Sequence, residues 1–247
     1  MIRDFLSGMT AYARAWGLIS ELRLWKFVFI PGILSLLLGG LIVTSAWGLS
    51  DDLGGYLIRW YPWEWGRTVI EKIAEIFSGL IVLAGGLIAY KQLILIISAP
   101  FMSPLSEAVE RHLAGELPDQ RFSLVKMGRD LWRGIRLGIR NGFREIMWTV
   151  ILLILGLIPV FSPFTTAGIF LVQAYFFGFG NMDFTLERHF GVRDSVRFVQ
   201  RHRWLAIGNG VVTMLLMMTV VGFLFILPFG TVAATIETTK RIARTRE

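Results

Sequence analysis

Cysteine is absent from the 247 residues, which excludes disulfides, thiolate metal sites and cysteine nucleophiles. Charge is scarce as well. Asp, Glu, Lys and Arg make up 17% of positions, against about 25% in an ordinary soluble domain. No G-x-x-x-x-G-K-[ST] loop is present, so the chain encodes no ATP-driven step. The three histidines, His112, His189 and His202, lie far apart and lack metal-ligand spacing. No Ser/His/Asp order recommends itself. These absences point away from an enzyme, and no metal or cofactor is expected.

What is present is apolar. Hydrophobic residues fill 54% of positions, and the shortage of charge is concentrated in 27–49, 73–101, 146–182 and 205–236, the second of which carries Lys91. An apolar run of about 18 residues or more is long enough, as a helix, to cross a hydrocarbon core of about 30 Å. Runs such as 150–158 do not alternate apolar with polar, as barrel strands would. The expectation is an all-α integral membrane protein forming a single membrane domain over 1–247. Residues 1–26 hold four basic and two acidic side chains ahead of the first apolar run, too late and too polar for a cleavable signal. The net charge of +7 fits a basic surface against anionic lipid better than nucleic acid, and no nucleic-acid partner is expected.

Residues 1–26 predict an amphipathic interfacial helix, since Phe5, Met9, Tyr12, Trp16 and Ile19 recur at steps of four and three. Span 1 is read at 27–49 and span 2 at 73–99. The intervening 50–72 forms a loop with the aromatic run Trp60-Tyr61-Pro62-Trp63-Glu64-Trp65, as expected at headgroup level. Basic residues number four before span 1, three in 50–72 against four acidic ones, eight in 100–145, five in 183–203 and four in 237–247. The positive-inside rule then puts every polar segment except 50–72 on the cytoplasmic side.

The runs 146–182 and 205–236 must therefore leave and return on one side. Breaks are expected at Pro159 to Pro163 in the first and at Gly222 or Pro228 in the second. Each leg has about 16 residues, roughly 24 Å of helical rise. The reading is two long transmembrane helices plus two partly penetrating helical hairpins, joined by basic cytoplasmic helices over 100–145, a basic connector over 183–204 and a basic tail. Two thin complete crossings per hairpin are the alternative. Hairpin tips at membrane depth imply an oligomer around them or an aqueous path.

Within 123–148, Lys126, Arg129, Arg133, Arg136, Arg140 and Arg144 share one helical face, and Gly134, Gly138 and Gly142 lie opposite. The glycines let another helix approach closely. The arginines anchor to lipid headgroups, or Arg133, Arg136, Arg140 and Arg144 form an anion-attracting vestibule. Two Ser-Pro pairs read as helix starts: Ser103-Pro104, and Ser162-Pro163 with Thr165 and Thr166 in the following turn. A helix N-terminus receives anions readily, although plain capping explains the same residues. Lys91 is either a functional intramembrane charge or a lysine that snorkels to the surface. Gln92, Gln173 and Asn209 read as interhelical hydrogen bonders. Asp183 and Glu187, beside Arg188, read as an interfacial ion pair.

Several short stretches resemble the CysZ sulfate permeases of bacteria and their relatives with the etoposide-induced-protein type of domain. These are Leu22-Arg23-Leu24-Trp25-Lys26-Phe27-Val28 entering span 1, Ile97-Ser98-Ala99-Pro100-Phe101 with Pro104-Leu105-Ser106-Glu107-Ala108-Val109-Glu110 after span 2, and Leu157-Ile158-Pro159-Val160 with Ser162-Pro163. Tyr175 through Asp183 with Phe184 resembles the exit of the first hairpin. Arg197 through Trp204 and the run to Pro228 resemble the last hairpin. The resemblance implies entry of sulfate or a related oxyanion for cysteine synthesis, through a multi-pass homo-oligomer in the bacterial inner membrane. It also implies a sulfate contact at a Gly-Leu-Arg element, whose matching positions here are Glu21, Leu22 and Arg23, an acidic residue standing in place of glycine. Arg23 is then the primary contact, with Leu22 beside it.

Overall fold

The structure is a computed structural model and describes residues 1–59, 67–115 and 124–246. The aromatic run Trp60 to Trp65 lies outside the described residues. Every described element is a helix: α1 (Ile2–Glu21), α2 (Lys26–Arg59), α3 (Arg67–Ala114), α4 (Leu124–Gly156), α5 (Ser162–Leu186), α6 (Val192–Arg201), α7 (Arg203–Met217) and α8 (Val220–Arg246). Within them, Lys26–Thr44 and Ala84–Ala114 are long and apolar enough to cross a membrane by length and composition.

The face that α1 buries differs from the expected stripe. Gly8, Ala11, Ala15 and Ile19 are buried, while Trp16 is 57% exposed. Small residues decide this. A Cβ at Gly8 would stand 2.6 Å from the Leu205 carbonyl oxygen, so α1 lies directly on the backbone of α7; of the large stripe residues Ile19 is buried, Phe5, Met9 and Tyr12 are half-buried, and Trp16 is left outside. Ion pairs fix its ends. Arg241 of α8 donates to Asp4 at 2.7 Å, and Arg14 donates to Glu237 at 2.8 Å.

Helix α1 ends in a Schellman turn. The Leu24 amide bonds to the Ile19 carbonyl at 3.0 Å and the Arg23 amide to Ser20 at 3.3 Å, with Arg23 at φ 53°. Leu24 and Ile19 are both buried, the apolar contact that accompanies this motif.

Helix α3 runs unbroken through Pro100 and Pro104, so the helix start expected at Ser103 does not exist. A proline removes one backbone bond. Among packed apolar helices, neighbouring groups satisfy what is freed, and stopping the helix would leave more polar backbone unpaired. Ser35 and Tyr90, hydroxyl to hydroxyl at 2.5 Å, tie α2 to α3.

The first break falls at 157–161, between α4 and α5, where the two prolines were read. The second falls at Met218 and Thr219 rather than at Gly222 or Pro228, and Pro228 lies inside α8. Thr219 accounts for the position: its hydroxyl accepts the Gly222 amide at 3.0 Å, capping the first turn of α8.

Helices α5 and α7 cross through reciprocal small pairs. A Cβ on Gly178 would overlap the Ala206 carbonyl, and one on Gly210 would overlap the Ala174 carbonyl. Each helix thus contributes one small-xxx-small element, Ala174 to Gly178 and Ala206 to Gly210, which allows backbone contact. The outward surface is apolar. Phe29, Ile33, Leu37 and Leu41 on α2, Ile139, Phe143 and Ile154 on α4, and Val160 and Phe164 at the first break are all exposed. In water such a surface would be a large uncovered patch; against lipid it is the expected exterior.

Candidate functional site

Arg23 occupies a left-handed position at the α1–α2 turn. It is exposed and forms no ion pair among the described residues. Leu22 beside it is half-buried, and Glu21 stands 4.0 Å from His112 of α3. The Arg23 guanidinium is therefore available to an anion, and the nearest carboxylate in sequence is turned toward another helix.

The other expected stations do not gather around it. Ser103 sits in the middle of α3, where its hydroxyl donates to Glu187 at 2.5 Å. Ser162 opens α5 as its first residue, with Phe161 at the cap and no side-chain cap bond. The Thr165 and Thr166 hydroxyls both donate back to the Ser162 carbonyl, at 3.0 and 2.8 Å. Ser162 and Glu187 bracket α5, about 37 Å apart by helical rise. The Ser103 and Ser162 stations thus lie near opposite ends of one long helix.

Along α4 the glycine face packs as expected. A Cβ added at Gly138 would stand 3.1 Å from Ile96 and one at Gly142 3.5 Å from Gln92, both on α3; one at Gly134 would meet open space. The basic face divides into separate roles. Arg133 is committed: it donates to Asp183 at 2.8 Å, to Ser195 at 2.7 Å and to the Phe190 carbonyl at 2.8 Å, and so clamps α4 to α5 and α6. Arg140 donates to Asn141 at 2.8 Å. Arg136 and Arg144 are exposed and make no ion pair among the described residues. The expected pairing of Asp183 and Glu187 with Arg188 is corrected. Arg188 pairs with Glu110 at 2.7 Å, and His189 meets the other Glu110 oxygen at 2.5 Å.

The sequence did not disclose the innermost polar cluster. Lys91 is 1% exposed and does not snorkel. Its ammonium is ion-paired with Glu145, donates to the Gln173 carbonyl at 3.3 Å, and stands 5.9 Å from the Phe177 ring centre. Gln92 donates to the second Glu145 oxygen at 3.4 Å. The available signal was that a charge inside an apolar span needs a partner. Glu145 is the acid at the edge of the run 146–182. Beside this cluster is a cavity of about 40 Å³, bordered by Gln92, Gly138, Asn141, Asp183 and Glu187, large enough to hold water.

On the other side of α5, Asn181 donates to Asn209 at 2.8 Å, Asn209 donates to the Gly230 carbonyl at 3.0 Å, and Tyr12 meets Thr213 at 2.5 Å. These bonds hold α1, α5, α7 and α8 together, which agrees with the reading of Asn209 as an interhelical bonder.

Outside the spans, electrostatics fix the termini. The Asp4 carboxyl is held below its usual range, chiefly by its bond from Arg241. Burial would raise Glu237, but bonds from Arg241 and Lys240 outweigh it and hold this carboxyl low as well.

Two helices able to cross a bilayer, an apolar exterior and polar side chains turned inward describe a membrane protein. The family model for Sulfate transporter CysZ/Etoposide-induced protein 2.4 matches residues 11–228, and the chain belongs to that family.

Proposed function

We propose that this protein is a permease for inorganic oxyanions, with sulfate as the principal substrate, working as a multi-pass homo-oligomer in the bacterial inner membrane. One observation carries the reading: polar and charged side chains line the inner faces of α3, α4 and α5, in segments that are otherwise apolar. Lys91, Gln92, Asn141, Glu145 and Gln173 are all on this seam, and a cavity borders it. Helices that only hold one another would gain as much from apolar packing there, since a buried ion pair adds little net stability. An intramembrane ionisable group is by default a functional one.

In this reading α2 and α3 carry the two full spans. Helix α7, with 15 residues, rises about 22 Å and penetrates only part of the bilayer, whereas α5, with 25 residues in place of the expected leg of about 16, is long enough to reach across the core. Arg23, unpaired at the α1–α2 turn, collects the anion at the cytoplasmic face. Arg136 and Arg144 raise the local anion concentration and also contact anionic lipid. Arg133 is a structural clamp and is not part of this vestibule. The competing reading, a membrane scaffold that organises partners or lipid, draws on the outward apolar faces of α2 and α4.

Labelled sulfate flux into liposomes containing the purified protein separates the two, with chloride and phosphate as competitors. Saturable flux that Arg23→Glu removes supports the permease. No flux above empty liposomes, from protein shown to be folded, supports the scaffold.

A further inference from the structure

The Lys91 cluster is built like an occupied anion site. Its donors are one ammonium and one side-chain amide, and they converge on the two oxygens of a single carboxylate. Glu145 Oε1 takes Lys91 Nζ, and Oε2 takes Gln92 Nε2. A charge-assisted bond beside a neutral N–H is also what an inorganic oxyanion accepts.

Two further observations separate this cluster from a plain structural salt bridge. The first is incomplete satisfaction. Buried ion pairs persist when hydrogen bonds complete their surroundings. Here the Thr149 hydroxyl and the Gln173 side-chain oxygen are buried with no partner among the described residues. Thr149 is 2% exposed and lies one turn from Glu145 on α4; Gln173 is 4% exposed, and its backbone carbonyl already receives Lys91. An orphaned buried hydroxyl needs an explanation, and it can donate to an anion. The second is access. The 40 Å³ cavity is lined by Gln92 together with Gly138 and Asn141 of α4, and Gly138 and Gly142 present no side chain to Gln92 where they face it.

We propose that Glu145 is a tethered counter-anion occupying an internal oxyanion site made by Lys91 Nζ and Gln92 Nε2, and that a tetrahedral oxyanion enters by displacing the carboxylate and takes in addition the unpartnered Thr149 hydroxyl one turn along α4. This rests on the permease reading and gives it an internal station distinct from Arg23. Glu145 keeps the site closed when no substrate is present, and Lys91 is never left as an uncompensated buried charge. Apparent affinity is lowered by the fraction of time that Glu145 holds the site. Removing its charge therefore raises apparent affinity.

The experiment is sulfate binding to the detergent-purified protein, read by calorimetry and by the sulfate-dependent rise of the unfolding midpoint, with parallel flux in liposomes. Wild type, Glu145→Gln, Glu145→Asp and the double substitution Lys91→Met/Glu145→Leu are compared, each also with Arg23→Glu. Glu145→Gln is expected to bind sulfate about tenfold tighter than wild type, the gain that follows if the carboxylate holds the site about nine-tenths of the time. The gain should survive Arg23→Glu and vanish in the double substitution.

Sulfate affinity unchanged or weakened in folded Glu145→Gln overturns the proposal. If that variant does not fold, Glu145→Asp decides: withdrawing the carboxylate by one methylene should also tighten sulfate, and unchanged affinity refutes the site. Flux in wild type with no gain in Glu145→Gln leaves the permease standing and removes the internal site. The gain in binding with no flux in any variant keeps the site and removes the permease.

Discussion

Replacing Lys91 by methionine keeps the bulk of the side chain and removes its charge. Glu145, 0% exposed, would then hold a carboxylate whose remaining donor is the Gln92 amide at 3.4 Å. Breaking a buried pair by removing one partner costs about 3–5 kcal/mol, because the other charge stays in place without compensation. Glu145→Leu leaves Lys91 with the Gln173 carbonyl at 3.3 Å and the Phe177 ring at 5.9 Å. A desolvated cation over an aromatic ring recovers about 2 kcal/mol, so this variant should lie nearer the lower end of the same range. The double substitution sets methionine against leucine inside an apolar bundle. Replacing a buried pair by apolar residues of similar volume is neutral, or stabilising by about 1–4 kcal/mol. The double variant should therefore be at least about 3 kcal/mol more stable than Lys91→Met alone. Reversible unfolding in mixed micelles with graded denaturing detergent, followed by far-ultraviolet circular dichroism, measures all three. Single variants within about 1 kcal/mol of wild type would refute the reasoning, as would a double variant that falls by the sum of the two.

Three further outcomes follow from the packing. Arg133→Met strands the buried Asp183 and unties Ser195 and the Phe190 carbonyl. It should cost about 3 kcal/mol and speed hydrogen exchange in α6, whereas the exposed neighbour Arg136→Met should stay within about 0.5 kcal/mol. Gly210→Val drives a side chain into the Ala174 carbonyl and should abolish folded yield. Gly134→Ala meets nothing within 4 Å and should gain about 1 kcal/mol from helix propensity, both read by size-exclusion recovery and unfolding midpoint. Because Asp4 and Glu237 are held below their ordinary range, their contribution is fully present above about pH 5 and is lost as pH falls through the depressed values. Asp4→Asn with Glu237→Gln should flatten the acid side of the midpoint-against-pH curve, and an unchanged curve would refute the assignment.

Much of the fold follows from the distribution of charge along the chain. Long uncharged runs have few soluble explanations, so helices able to cross a bilayer were legible before any contact was known. Proline was a less reliable guide. At Pro159 and Pro163 it marks a real break, yet α3 passes through Pro100 and Pro104 and α8 through Pro228. In an apolar bundle, whether a helix breaks depends on what else can satisfy the freed carbonyls, and neighbouring helices determine that. The second break is set by Thr219, whose capping bond to Gly222 gives no stronger local signal than the other Thr-x-x-Gly spacing, Thr165 to Gly168, which lies inside α5. Helix α1 forms over the expected stretch, but its closest contact was not legible for a related reason. The stripe of large residues is the stronger periodic signal, whereas contact with the α7 backbone is made through Gly8, where close approach outweighs bulk.

The site was less legible because pairing between charges is a long-range property. Arg133, Arg136, Arg140 and Arg144 are equivalent in spacing, so periodicity placed them correctly on one helix and could not separate their roles. Asp183, 50 positions from Arg133, makes one of them a clamp and leaves Arg136 and Arg144 for solvent or headgroups. Glu145, 54 positions from Lys91, likewise turns an ambiguous lysine into half of a buried pair. An arginine already held by a carboxylate, a carbonyl and a hydroxyl has little left with which to bind a mobile anion. In the proposed reading that role falls to Arg23, Arg136 and Arg144, which make no ion pair among the described residues, together with Lys91 when its tethered partner is displaced. Arg23 shows the distinction most clearly. It takes a left-handed backbone that costs a non-glycine residue about 1–2 kcal/mol, and it forms no ion pair among the described residues. Glycine would satisfy the turn at lower cost, so the side chain, rather than the backbone, accounts for arginine at this position.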